Sequence, residues 1–314
     1  MRRLLNIVLV AAAFSATSAA RSQSVTYDSA TGILSIPAVR VGSETYVNVT
    51  LLNTGNYTFA LQAATQQVPA AFQLTGDPES SSGATWTYRA TTDGVAYDLR
   101  GILLKPRGQG PFPAVILSHG GFQNALTMLP AATEMVTWGL VGIATNYTHA
   151  TDTGAPLGSP GTEGERGANL SNILRARKLL EILSSLGYVD MNRVAAHGVS
   201  NGGFVTTATL ATYPSAFRVA SHAAAGVQDP VSGSPPNAPS PSLAAGVRTP
   251  YTLHHGDPDE TNPLSSDQRL ALILGTNGVL HELWVYPGGG HVGFVQNPAF
   301  YTRIRAWYAR FGLF

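Results

Sequence analysis

The run Gly-Val-Ser-Asn-Gly at residues 198–202 allows few local backbone conformations. A short apolar stretch at residues 194–196 precedes it, and helix-compatible residues 206–212 follow it. Glycines on both sides of a serine suit a strained turn in which neighbouring backbones approach closely. The pattern therefore predicts a strand, a sharp turn and a helix, with the hydroxyl of Ser200 raised above the end of the strand.

The region around this motif alternates between two patterns. From residue 113 onward, short apolar runs typical of buried strands are separated by helix-compatible stretches. Such alternation predicts βαβ units and a mainly parallel sheet. The strand-like runs lie at residues 114–118, 140–146, 194–196, 219–224, 251–254 and 283–286.

Two helices are predicted from their periodicity and end signals. Residues 169–186 place apolar side chains on one face and charged ones, including Arg175 and Lys178, on the opposite face, and Gly187 ends the run. We expect this charged face to be solvent-exposed. Residues 298–311 predict a last helix that covers the sheet, with Pro298 near its start.

The N-terminal part has a different pattern. Residues 25–75 contain short β-like runs, and 46–52 alternate as a half-buried strand does. A Gly- and Ser-rich stretch at 76–84 reads as a linker, and a strand pair around Asp93-Gly94 follows it. We therefore predict an α/β chain with a signal peptide at 1–22, a small β-rich module with its linker at 23–84, and a catalytic domain at 85–314.

The first residues predict export. Arg2 and Arg3 precede an apolar run that is too short to span a bilayer, and small residues follow it, with cleavage expected after Ala20 or Ser22. The predicted location is secreted or periplasmic, without a membrane anchor. Cleavage after Ser22 removes three of the 19 basic side chains, which leaves 16 basic side chains against 18 acidic ones. The mature protein is therefore close to neutral, and no nucleic-acid partner is implied. With no cysteine in the chain, disulfides and thiolate metal sites are excluded.

A serine hydroxyl becomes a good nucleophile only beside a base, and a histidine base needs a carboxylate to hold its tautomer. His291 follows the last predicted strand in a Gly-rich loop, and we predict that it is the base. Asp257 and Asp259 follow the strand before it, with Glu260 adjacent, and Asp229 follows an earlier strand, so the residues alone leave the acid open. His254 and His255 are adjacent on a strand and point to opposite faces, which argues against a metal site. Neither a metal nor a cofactor is predicted.

Acyl transfer also requires N–H donors for the oxyanion. Asn201, directly after the nucleophile, supplies one by position. The loop after the strand at 114–117 reads Ser-His-Gly-Gly-Phe, so the backbone of Gly121 or Phe122 is predicted to supply the other. Phe122 and Tyr147 are candidates for the apolar walls of a substrate pocket.

Together these motifs resemble the α/β-hydrolase superfamily. The segments Gly-Tyr-Val-Asp-Met-Asn-Arg-Val at 187–194, Gly-Val-Ser-Asn-Gly-Gly at 198–203 and Pro-Phe-Pro-Ala-Val-Ile-Leu-Ser-His-Gly-Gly at 111–121 are similar to the branch that contains dienelactone hydrolase-like enzymes and prolyl oligopeptidase catalytic domains. The resemblance covers about residues 85–314 and implies that fold. In that family the acid commonly stands in His-Gly-x-x-Asp, which falls on residues 255–259 and implies Asp259.

Two departures bear on the activity. Dienelactone hydrolase proper uses a cysteine nucleophile, so Ser200 points to esterase chemistry. Prolyl oligopeptidases carry a large β-propeller, which the short β-rich N-terminal part cannot form.

The interval 227–249 is rich in Pro, Ser and Gly and is too short for a helical cap. This predicts an open site for small or polymer-bound esters. The alternatives are a peptidase of the prolyl oligopeptidase type and a catalytically inert adhesion protein.

Overall fold

The computed structural model describes residues 24–41, 44–56, 58–67, 71–92, 95–151, 166–229 and 237–314. The predicted signal peptide and the Asp93-Gly94 turn lie outside these ranges. The chain divides into two compact units, of which the first ends at Gln67 and the second begins at Val68.

The first unit contains an antiparallel sheet. Within the described residues its four strands pair in chain order, each antiparallel to the next. Val49 and Leu51 lie two residues apart and are both buried, as the alternation at 46–52 predicts. The strands are β1 (Thr26–Asp28), β2 (Ile33–Val41), β3 (Glu44–Gly55) and β4 (Thr58–Gln67).

The second unit is built on a larger mixed sheet. Among the described residues this sheet has nine strands in the order β13-β12-β11-β10-β8-β9-β7-β6-β5. The six strands from β13 to β9 are parallel to their neighbours, and β7, β6 and β5 continue the sheet as an antiparallel edge. They are β5 (Ala71–Thr75), β6 (Ala84–Thr92), β7 (Val95–Leu104), β8 (Phe112–Ser118), β9 (Val141–Thr145), β10 (Val189–Val199), β11 (Val219–Ala223), β12 (Tyr251–Asp257) and β13 (His281–Pro287).

Helices cover both faces of this sheet. One apolar cluster packs α2, α3, α4 and α5 against one face, and a second packs α1 and α6 against the other. Central strands buried on both faces are apolar along their whole length, which explains the continuous hydrophobic runs in the sequence. The helices are α1 (Leu129–Thr137), α2 (Leu170–Ser185), α3 (Asn201–Thr212), α4 (Pro241–Ala244), α5 (Leu264–Thr276) and α6 (Ala299–Arg310).

The structure divides the chain earlier than the predicted boundary at 84/85. The strand β5 pairs with β6 across the stretch predicted as a linker, so residues 76–83 connect two strands of one sheet. The turn residues that suggested a linker serve a hairpin connection instead: the Asp77 carboxylate accepts from the Glu79 N–H at 2.9 Å, and Gly83 has a φ of 66°.

The charged face of α2 also differs from its prediction. Arg175 and Lys178 are each only 2% exposed. The Arg175 guanidinium donates to the carbonyl of Asn146 at 2.6 Å, and the Lys178 ammonium lies 4.7 Å from the centroid of the Tyr97 ring. Long basic side chains can bury their stems when their heads find acceptors or aromatic faces, and periodicity alone does not reveal those partners.

No helix in the described ranges has both the length and the apolar character needed to cross a bilayer.

Candidate active site

Four segments that follow parallel strands form the candidate site. Ser200 comes directly after β10, the loop through Phe122 follows β8, Asp259 follows β12, and His291 follows β13. The carboxyl ends of parallel strands lie at one edge of the sheet, which is where α/β folds place their sites. The chain order and the sheet order together thus gather residues that are up to 169 positions apart in the numbering.

Ser200 occupies a strained turn between β10 and α3. Its φ of 54° and ψ of −122° lie in a region of backbone conformation that residues other than glycine rarely adopt. A Cβ on Gly198 would come within 2.2 Å of the Gly202 carbonyl oxygen, and one on Gly202 within 1.9 Å of the Ser118 carbonyl oxygen. The two glycines of the motif are therefore required by close backbone approach, as its spacing predicts.

The side chains of Ser200, His291 and Asp259 form one hydrogen-bonded chain. Ser200 Oγ lies 2.9 Å from His291 Nε2, and His291 Nδ1 lies 2.8 Å from Asp259 Oδ2. Because the carboxylate accepts at Nδ1, the neutral ring carries its proton there, and Nε2 is free to accept the serine proton. The Asp259 side chain is fully buried and that of His291 is 25% exposed, so the base remains within reach of a substrate.

Asp259 is fixed by its own loop as well. Its Oδ1 accepts from the backbone N–H groups of Thr261 and Asn262, both at 2.9 Å. Hydrogen bonds to a carboxylate stabilise its charged form and hold its orientation. This carboxylate therefore presents Oδ2 to His291 in a single orientation.

The other acidic candidates have different partners. Asp257 Oδ1 accepts from the N–H of Gly288 at 2.7 Å, which ties the end of β12 to the loop that carries His291. Asp229 forms a two-pronged ion pair with Arg269 at 2.6 and 2.9 Å on the surface. The carboxylate in contact with His291 is that of Asp259, the one implied by the family resemblance.

The predicted oxyanion donors lie on two segments in contact. A Cβ on Gly121 would come within 2.7 Å of Asn201 Nδ2, so the β8 loop packs against the start of α3. Phe122 has a φ of 55°, which turns the loop sharply at this point. In the portion of the chain that the structure describes, the N–H groups of Asn201, Gly121 and Phe122 have no protein acceptor, whereas that of Gly120 donates to Gln123 Oε1 at 3.2 Å. Three backbone donors without a protein acceptor thus lie on these two segments.

Two buried histidines support this loop, and the sequence did not assign them to the site. His119 Nε2 accepts from the Tyr147 N–H at 3.1 Å, and His149 Nε2 donates to the His119 carbonyl at 3.1 Å. Burial lowers the pKa of His119 to about 4 and that of His149 to about 3, so both rings are neutral near pH 7. Only the Ser-His-Gly-Gly motif hinted at His119, and no local signal marked His149.

The two candidate wall residues have different environments. Phe122 is 66% exposed, and the Arg166 guanidinium lies 4.4 Å from the centroid of its ring. Tyr147 is fully buried, packs with Ala176 and Val205, and hydrogen-bonds Ser118 Oγ at 2.9 Å. The prediction that Tyr147 lines the pocket is corrected: its ring belongs to the core, because it packs among apolar side chains and its hydroxyl has a buried partner at the end of β8.

Comparisons with known proteins agree with this architecture. Residues 135–232 match the model of the prolyl oligopeptidase family. No curated protein matches the chain. A solved structure described as a dipeptidyl aminopeptidase IV from Bacteroides ovatus is 19% identical with a TM-score of 0.60, and the match covers 91% of this chain but 43% of that one.

Two smaller hydrolases are also similar. A protein described as a dienelactone hydrolase from Klebsiella pneumoniae is 17% identical with a TM-score of 0.56, covering 77% of this chain and 99% of that one. An S-formylglutathione hydrolase from Agrobacterium tumefaciens is 13% identical with a TM-score of 0.57, covering 76% and 100%. The chain has the α/β-hydrolase fold.

Proposed function

We propose that this protein hydrolyses carboxylic esters through a Ser200-His291-Asp259 triad and an acyl-enzyme intermediate. The observation that carries the proposal is the unbroken chain from Ser200 Oγ to His291 Nε2, at 2.9 Å, and from His291 Nδ1 to Asp259 Oδ2, at 2.8 Å. This is the arrangement that turns a serine hydroxyl into a nucleophile.

The reaction runs in two halves. Ser200 Oγ attacks the carbonyl carbon while His291 Nε2 takes its proton, and the resulting oxyanion accepts from the N–H of Asn201 and that of Gly121 or Phe122. His291 then gives the proton to the departing alcohol, leaving an acyl group on Ser200. In the second half His291 activates a water, which releases the acid and restores the serine.

Two observations favour an ester over a peptide. The fold matches the full length of an S-formylglutathione hydrolase and nearly all of a protein described as a dienelactone hydrolase, whereas the dipeptidyl aminopeptidase IV match extends over 43% of that protein. In addition, the exposed Phe122 ring lies in the oxyanion loop and offers an apolar surface to an acyl group.

The second candidate is a peptidase. It is favoured by the match of residues 135–232 to the prolyl oligopeptidase family model. An ester and an amide with one acyl group discriminate the two activities: we expect p-nitrophenyl butyrate to be cleaved with a kcat/KM at least 100-fold above that of butyryl p-nitroanilide. Gly-Pro p-nitroanilide tests the peptidase directly, and its faster turnover would reject the esterase assignment.

The substrate is proposed to be a small or polymer-bound ester. The support is the prediction of an open site from residues 227–249, of which 230–236 lie outside the described residues. Release of acid from a suspended aliphatic polyester or an acetylated polysaccharide, measured beside release from short soluble esters, tests the polymer class. Turnover of the soluble esters alone would restrict the activity to small substrates.

Export is proposed from the N-terminal pattern, which also lies outside the described residues. We expect the full-length gene product to reach the periplasm or the medium with a new N-terminus at Arg21 or Gln23. N-terminal sequencing of the recovered protein tests this expectation. An unprocessed chain that begins at Met1 and stays with the cytosolic fraction would reject it.

A further inference from the structure

A second buried acid and two buried histidines lie behind the candidate triad acid. His255 Nε2 is 3.2 Å from Asp259 Oδ2, the oxygen that also accepts from His291. On its other side, His255 Nδ1 is 2.7 Å from Asp267 Oδ2. The side chains of His255, Asp259 and Asp267 are all fully buried.

The partners of His255 define where its protons lie. Nε2 is 2.8 Å from the backbone carbonyl of Asn262, which has no hydrogen to donate, so Nε2 must carry a proton. Nδ1 faces the Asp267 carboxylate. A ring with an acceptor at both nitrogens is satisfied as an imidazolium, which carries a proton on each.

Asp267 is arranged as the counter-ion. Its Oδ2 faces His255, and its Oδ1 is 2.7 Å from His222 Nε2. The other nitrogen of His222 lies 2.7 Å from the Tyr251 hydroxyl, which can donate to it. Burial raises the pKa of Asp267, but its interactions with His222 and His255 outweigh this effect and lower the pKa to about 2. Burial lowers the pKa of His255, but the hydrogen bond to Asp267 and its charge outweigh this effect and raise it.

We propose that His255 is a protonated positioning residue which, with Asp267 as its counter-ion, holds the Asp259 carboxylate ionised and directed at His291. The proposal rests on the proposed function, because it assigns a role around the same triad. In it, Asp259 stands between two imidazole rings, of which only His291 exchanges protons during turnover.

The physical need arises in the resting state. With His291 neutral, Asp259 would be a buried carboxylate without an opposite charge, which is costly to maintain. An imidazolium 3.2 Å away supplies that charge while leaving Oδ2 available to His291 Nδ1. The same positive charge repels a positive charge on His291, so the two rings are coupled electrostatically through Asp259.

The groups that face His255 come from three elements. Asp259 and Asn262 lie in the loop after β12, Asp267 lies on α5, and His222 lies on β11. His291 follows beyond Asp259. Of these, the Asp267 carboxylate is the one whose removal makes His255 neutral without changing the triad itself.

The first test reads the protonation of His255 in the full-length wild-type chain. With ¹⁵N-labelled histidine, NMR at pH 7 is expected to show protons on both His255 nitrogens. A His255 resonance of the unprotonated-nitrogen type at pH 7 would overturn the proposal. This reading needs no substrate, so it stands whether or not the ester assignment holds.

The second test is the pH profile of kcat/KM for Asp267→Asn, normalised to the fraction of molecules that a fluorophosphonate labels. Loss of the buried pair is expected to move the acidic limb upward by about half a pH unit and to lower kcat about tenfold, with KM within about threefold. Asp229→Asn is the matched control, because it breaks an exposed ion pair with Arg269, which lies on α5 like Asp267. It should leave the pH profile unchanged.

The result separates positioning from support of the fold. A merely structural role would reduce the fraction of molecules that the fluorophosphonate labels but leave the acidic limb of the pH profile in place. That outcome in folded Asp267→Asn overturns the proposal. If that variant does not fold, the NMR reading on the wild type decides. Should Ser200→Ala retain full hydrolysis, the proposed function fails, a result that the His255 protonation state does not influence.

Discussion

Ser200 is held in a backbone conformation that costs stability. Its φ of 54° and ψ of −122° suit glycine, and the two flanking glycines allow the turn because their Cα atoms lie against carbonyl oxygens. Such a conformation costs about 1 to 3 kcal/mol of stability per residue and is retained where function requires it. The strain lifts Oγ towards His291 and so connects the local backbone to the proposed chemistry.

This strain can be measured by comparing two variants that both lack the hydroxyl. Ser200→Gly relieves the unfavourable conformation and Ser200→Ala keeps it. We expect Ser200→Gly to have the higher free energy of unfolding, by about 1 kcal/mol after allowing for the greater entropy of an unfolded glycine. Urea unfolding at pH 7 gives both values. Equal stabilities, or a more stable Ser200→Ala, would contradict a strained turn.

The two neighbouring aspartates provide a matched pair for the acid. Asp259→Asn removes the acceptor that fixes the His291 tautomer, and kcat/KM for p-nitrophenyl butyrate is expected to fall by about 10³ to 10⁴. Asp257→Asn alters only the hydrogen bond to the Gly288 N–H and should cost less than about tenfold. If Asp257→Asn were the more damaging change, the assignment of the acid would be wrong.

Among the elements, the contact between the start of α3 and the end of β8 positions one of the proposed oxyanion donors. A Cβ on Gly202 would lie 1.9 Å from the Ser118 carbonyl oxygen, so α3 approaches β8 as closely as a glycine permits. Asn201, the adjacent residue, carries one proposed oxyanion donor. The spacing between the two elements therefore controls where that N–H points.

Gly202→Ala tests this dependence. The added methyl group must push α3 away from β8, and a displacement of about 1 Å at Asn201 is expected to lower kcat about 100-fold. Gly293→Ala is the control, because a Cβ there has no atom within 4 Å. Steady-state kinetics and a thermal melt on both variants give the comparison. A Gly202→Ala enzyme with wild-type kcat would show that the contact does not set the donor.

At this scale the sequence predicted the elements that carry the site. The run at 198–202 requires a strand, a turn and a helix for local steric reasons, and the Gly-rich loop before His291 marks the end of a strand, so both could be recognised. The edge strand β5 was missed because its pairing with β6 is a tertiary fact. Arg175, Tyr147 and the pair of His255 and Asp267 were missed for the same reason, since their burial depends on partners distant in the sequence.

The whole molecule buries several neutral histidines, which links its stability to pH. Burial lowers the pKa of His119 to about 4 and those of His149 and His197 to about 3. Below pH 6.5 the unfolded chain takes up protons that these folded rings do not. Their contribution to stability is therefore complete above pH 6.5 and is lost as the pH falls towards 4. The pKa of His255 is raised. Its contribution to the free energy of unfolding is therefore complete below pH 6.5 and is lost as the pH rises above that value.

Burial also lowers the pKa of His254 well below its ordinary value. We expect the free energy of unfolding to fall by up to about 5 kcal/mol per pH unit near pH 5, as these four histidines each contribute about 1.4 kcal/mol per pH unit. Urea unfolding at half-unit steps from pH 7 to 4.5 measures the slope. His281→Gln, at a partly exposed ring that hydrogen-bonds the Val279 carbonyl, should leave the slope unchanged. A flat profile over this range would contradict the neutral assignment.

Ser200 is proposed to be a nucleophile activated by His291 and Asp259. The most direct test is to treat the folded protein with a fluorophosphonate and to locate the adduct by peptide mass spectrometry. We predict one adduct per chain, on Ser200, with no labelling of Ser200→Ala and labelling of His291→Ala slowed by at least about 1,000-fold. Absence of an adduct from the folded wild-type protein, or its appearance on another serine, would contradict the account and favour an inert binding protein.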